Sequence, residues 1–162
     1  MRKFLSIATV VTQIGFTFAL LFVMYMIFAM FDYKGGFANF VGLTMFQPLI
    51  GFVLSGLTIL VCFILGLPIR LNKSINHWWR RNFYFSVILL VLGITLCIIS
   101  LTPGFIEEVT YRMEGIDFKD TVPNQLLSVS GWFSLAFGAL HVYLPYNLQQ
   151  KIEKTFLTEL KL

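Results

Sequence analysis

Charge is what this sequence has least of. Of its 162 residues, 12% are Asp, Glu, Lys or Arg, about half the share found in an ordinary soluble domain. Four stretches, 4–31, 43–69, 83–102 and 126–146, contain none. A helix lying on a soluble protein carries a charged stripe on its outer face, so these absences exclude that pattern. With 57% hydrophobic residues and 18 phenylalanines, a water-soluble globule of this size would be left with more apolar surface than its interior can hide. Lipid is the solvent that this composition fits.

Other absences narrow the chemistry. There are two cysteines, Cys62 and Cys97, both inside apolar runs, which excludes a secreted disulfide framework. No paired acids, H-E-x-x-H, C-x-x-C or phosphate-cradling glycine loop is present, so no catalytic, metal or cofactor site is expected. The opening MRKFLSIATVVTQIGF begins like a signal peptide, but its apolar character continues to Phe31 and no A-x-A-like site follows. It reads as a retained first span.

Crossing a hydrocarbon core of roughly 30 Å takes about 20 helical residues, and each of the four stretches supplies them. The expected fold is an all-α integral membrane protein: a four-transmembrane-helix bundle over 1–146, followed by an amphipathic cytoplasmic helix over 147–162. Gly35-Gly36, Pro103-Gly104 and Pro123-Asn124 mark the breaks, as residues that end or turn helices.

Where the charges lie then sets orientation. The N-terminus, the 70–82 connection and the tail hold nine basic residues, Arg2, Lys3, Arg70, Lys73, Arg80, Arg81, Lys151, Lys154 and Lys161, against Glu153 and Glu159, a net of +7. On the other side six acids oppose Lys34, Arg112 and Lys119, a net of −3. Basic residues stay cytoplasmic in helical membrane proteins, so both termini are expected inside, in a bacterial inner membrane. The 70–82 segment then reads as a cytoplasmic loop in which Arg70, Lys73, Arg80 and Arg81 reach lipid phosphates while Trp78 and Trp79 sit at the interface. Four basic residues alone give weak, salt-sensitive nucleic-acid contact, and no such partner is expected. The acidic segment GFIEEVTYRMEGIDFKD reads as the longest external loop, solvated and without a cation-binding period.

Within the spans, His141 is the one ionisable group apart from thiols and tyrosines. Helical spacing puts it on one face with Ser130, Ser134 and Gly138, and Thr9, Thr12 and Gln13 lie at comparable depth in the first span. These six polar residues form a candidate bundle interior, most simply through a neutral histidine hydrogen-bonded across the bundle, alternatively through a proton relay. Ala8, Gly15 and Ala19 in the first span, Gly51 and Ser55 in the second, and Gly138 in the fourth are the small residues that allow close helix packing, within one chain or between copies. In the tail, Leu148, Ile152, Phe156 and Leu160 recur every four residues, an apolar stripe suited to the inner leaflet or a protein partner.

The function expected from these features is that of a small non-catalytic membrane protein, an anchor, regulatory, immunity or defence subunit of a membrane-associated complex. An oligomeric low-selectivity channel or transporter is the first alternative, and a membrane enzyme acting on lipid the second. Partners are membrane lipids and a second copy or another protein engaged through helix faces and the tail.

Overall fold

A computed structural model describes residues 2–113 and 116–143; the expected tail helix and its four apolar residues lie outside them. The described chain is mostly helical with one β-hairpin. Helix α1 (Arg2–Phe31) is unbroken and carries no charged residue beyond Lys3. It ends before Gly35 and Gly36, whose φ of 80° and 87° fall where side-chain-bearing residues are disfavoured. Helix α2 (Phe37–Val41) continues through a π-turn, Gly42–Phe46, into α3 (Gln47–Leu65). Pro48 has no N–H to offer the Thr44 carbonyl, and the Gln47 N–H reaches back five residues to Gly42 O, which widens the turn just before the proline.

Beyond Gly66 come α4 (Leu67–Leu71) and α5 (Lys73–Arg81). Asn72 starts α5 by accepting from the N–H groups of Ser74 at 3.0 Å and Ile75 at 3.3 Å, an N-cap arrangement. Helix α6 (Tyr84–Ser100) follows at a bend of 70° to α5. Strands β1 (Glu107–Met113) and β2 (Ile116–Val122) pair antiparallel, Glu107 opposite Val122. Asn124 then caps α7 (Gln125–Leu140), accepting from Leu127 N at 2.9 Å.

Two helical runs are long and apolar enough to cross a membrane, Ile7–Phe31 and Phe37–Leu65, and a third qualifies if α5 and α6 count as one bent span. Helix α7 is apolar but has 16 residues, a rise of about 24 Å against the roughly 30 Å of hydrocarbon. Two sequence expectations are corrected. The acidic segment is a β-hairpin, because Val109, Tyr111, Ile116 and Phe118 alternate along it and favour extended pairing. The 70–82 connection is helical, because Asn72 caps it and its following residues form a one-sided helix.

Helix α7 is central, packed most extensively on α6 and also on α1 and α3. The core joins Leu21 and Met24 of α1, Ile59 and Cys62 of α3, Cys97 of α6, and Trp132, Leu135, Ala136 and Leu140 of α7. Both cysteines are buried and free. Cross-helix hydrogen bonds satisfy polar groups within it: Trp132 Nε1 donates to Thr58 Oγ1 at 2.9 Å, Ser134 Oγ to Leu89 O at 3.0 Å, and Tyr25 Oη to Gln47 Oε1.

Candidate functional site

One group of polar side chains gathers where Gln13 in the N-terminal half of α1, the α3–α4 junction, α5 and the end of α7 meet. His141 follows α7 and is fully buried. Its Nδ1–H donates to Phe137 O at 3.0 Å, which leaves Nε2 buried without a hydrogen-bond partner among the described residues. That nitrogen faces Gly66, in the space a side chain there would occupy. The His141 carbonyl accepts from Ser86 Oγ at 2.6 Å and Trp79 Nε1 at 3.0 Å, and the same indole N–H lies 2.8 Å from Ser86 Oγ. One carbonyl thus ties α5, α6 and α7 together.

Arg70 is the second organiser. Its Nη2 donates to Leu140 O at 3.0 Å and to Gln13 Oε1 at 3.1 Å, while Gln13 Nε2 donates to Val142 O at 2.5 Å. The guanidinium carbon stands 4.8 Å from the centre of the Phe63 ring and 6.0 Å from that of Tyr143, and the Arg80 guanidinium lies 4.9 Å from Tyr143, within cation–π range. Asn76 Nδ2 donates to Ile69 O at 2.9 Å, holding α5 against α4. Between these two short helices Arg70, Lys73, Asn76, His77 and Arg80 line a pocket of about 310 Å³.

The candidate interior residues divide. Gln13 and His141 are buried at this end, Thr9 and Ser134 are half-buried, and Thr12 and Ser130 are exposed. The Thr12 hydroxyl donates to Ala8 O at 2.9 Å within its own helix. Of the small residues, Gly51, Ser55 and Gly138 are buried, whereas Ala8, Gly15 and Ala19 lie on the outer surface of α1, whose inner face is built from Gln13, Thr17, Leu21 and Met24. In α5 and before it, Arg70, Trp79 and Arg80 are half-buried, and Lys73, Trp78 and Arg81 are exposed.

Asn76, Ser86 and Tyr143 belong to this end of the molecule and are not among the residues singled out from sequence. Positions 73, 76, 77 and 80 share a face once the segment is helical, so a helical reading of 73–81 selects the pocket's α5 side. At the opposite end the hairpin meets the α1–α2 turn through a Lys34–Asp120 ion pair, and Asn124 Nδ2 donates to Glu107 Oε1 at 2.6 Å. Comparison with known proteins yields no matching family model, no matching curated relative and no matching solved structure.

Proposed function

We propose that this chain is a non-catalytic integral membrane protein of four spans, with both termini cytoplasmic in a bacterial inner membrane, serving as an anchor or regulatory subunit of a membrane-associated complex. The observation that carries this reading is how its interior polar groups are used. Gln13, Arg70, Trp79, Ser86, Trp132 and Ser134 direct their hydrogen bonds to other helices. Bonds of this kind hold a bundle together where water is absent.

The division of charge between the two ends supports the four crossings. The start of α1, the basic α4–α5 segment and the end of α7 share one end, while the α1–α2 turn and the hairpin share the other. A chain returning to its starting side this way crosses an even number of times, with α6 and α7 as the third and fourth spans. The outward stripe of Ala8, Gly15 and Ala19 suits close approach by a partner helix.

Photo-cross-linking in native membranes tests the partner role. A photoreactive residue at Ala19 is expected to give a discrete protein adduct that one at Leu57, on the apolar outer face of α3, does not. Lipid adducts alone from both positions overturn the subunit reading. Orientation has its own check: the Asn72-Lys73-Ser74 sequon is expected to stay unmodified in eukaryotic microsomes, because the glycosylation machinery acts on the lumenal side only. A glycan on Asn72 reverses the topology.

A further inference from the structure

We propose that the pocket between α4 and α5 binds a phosphate-bearing anion, a phosphomonoester or phosphodiester group. Its described lining carries three permanent cations, Arg70, Lys73 and Arg80, two further polar side chains, Asn76 and His77, and no carboxylate. Guanidinium groups match phosphate oxygens in geometry as well as charge, which makes phosphate a better fit than a single carboxylate for three converging cations.

One of the donors, Arg70, is held in place before any ligand arrives. Arg70 is fixed by Leu140 O, Gln13 Oε1 and the Phe63 ring, so little side-chain freedom remains to be lost on binding. Arg70 and Arg80 both lie against the Tyr143 ring. Arg70 Nε is buried with no hydrogen-bond partner among the described residues, a cost that an added acceptor nearby would lower. The volume of about 310 Å³ stands at the small end of the roughly 300–1,000 Å³ range of ligand pockets, a size for a head group or small phosphate ester.

The 70° bend between α5 and α6 turns α5 across the end of the helices when α6 stands in a membrane. Trp78, half exposed, then sits at head-group depth. The same pocket chemistry thus fits two sources, an anionic lipid head group and a soluble phosphate compound. The lipid source rests on the membrane reading proposed above; the phosphate chemistry of the pocket does not.

The test uses the full chain purified in mild detergent. Calorimetry with sodium pyrophosphate at constant ionic strength probes the soluble source, and native mass spectrometry with phosphatidylglycerol against phosphatidylcholine probes the lipid. Lys73→Gln/Arg80→Gln is expected to weaken whichever binding occurs by about tenfold or more, as for lost charge-assisted contacts. Arg112→Gln/Lys119→Gln removes the same charge at the hairpin and is expected to leave binding unchanged. Pyrophosphate saturation without lipid preference assigns a soluble phosphate compound; retained phosphatidylglycerol without pyrophosphate saturation assigns the head group. If the pocket double variant does not fold, Lys73→Gln alone, a change at an exposed side chain, is read by the same comparison. Absence of binding by both probes, or equal loss in pocket and hairpin variants, overturns the proposal. A chain that stayed monodisperse without detergent would end the membrane reading and leave the pyrophosphate result standing.

Discussion

The imidazole of His141 fills the space that a side chain at Gly66 would need. Gly66 has φ −85° and ψ −1°, a conformation open to any residue, so packing alone demands glycine here. Gly66→Ala is expected to destabilise the fold by about 1–3 kcal/mol, the usual cost of overpacking. Adding His141→Ala should recover part of that loss, since the colliding ring is gone. Thermal unfolding in detergent of the two single variants and the double variant measures the coupling; strictly additive losses would place the cost away from the ring.

Glycines on the two sides of the helices should respond with opposite signs. A β-carbon at Gly138 would lie 2.6 Å from Leu90 N and 2.9 Å from Ser86 O, and one at Gly131 would lie 2.8 Å from Cys97 N. These contacts are with backbone, which cannot swing aside. Gly131→Ala and Gly138→Ala should therefore each cost about 1–3 kcal/mol. At Gly15 a β-carbon meets nothing within 4 Å, so Gly15→Ala should stabilise the isolated chain by roughly 0.5–1 kcal/mol through helix propensity. A loss at Gly15 in unfolding measurements would show that this surface is already packed.

That contrast shows where the sequence is legible and where it stops. Long uncharged runs mark α1 and α3 unaided, because lipid-facing and core-facing residues are both apolar and no outward charge interrupts them. For the same reason the runs do not say which side faces inward. Ala8, Gly15 and Ala19 share spacing with true packing residues, yet α1 buries Gln13 and Thr17 instead. The hairpin's signal, Val109, Tyr111, Ile116 and Phe118 in alternation, is masked by five carboxylates in the same segment. In α5 the charges of Lys73, Arg80 and Arg81 suggest a surface turn, whereas Asn72 and the 73/76/77/80 spacing point to a helix. The Arg70–Gln13 and Trp79–His141 bonds span 57 and 62 residues, and no local pattern encodes pairings at such separation.

The neighbouring tryptophans 78 and 79 should differ under the same substitution. Trp79 donates toward Ser86 Oγ and His141 O, whereas Trp78 is half exposed and stacks on Phe85 with ring centres 5.4 Å apart. Trp79→Phe removes the indole N–H at a half-buried junction of three helices and should cost about 1 kcal/mol or more. Trp78→Phe keeps an aromatic ring on Phe85 and should stay within about 0.5 kcal/mol, as surface substitutions do. Unfolding midpoints in one detergent compare the two, and equal losses would remove Trp79 from its connecting role.

The hairpin's attachment to the α1–α2 turn should depend on pH through Asp120. The hydrogen bond from Lys34 holds this carboxyl below the ordinary aspartate range, helped by the Thr121 N–H at 2.8 Å and by the charge of Lys34. An acid whose pKa is depressed by folding stabilises the fold above its unfolded pKa, about 3.9, and loses that contribution as pH falls through the lower folded value. The attachment should therefore be indifferent to pH near neutrality and weaken only in acid. An NMR titration of the Asp120 carboxyl should show a midpoint below the ordinary value, and Lys34→Gln should raise it while the Thr121 N–H keeps part of the depression. Asp120→Asn should abolish this acid-side dependence. A midpoint unmoved by Lys34→Gln would show that the ion pair does not anchor the hairpin.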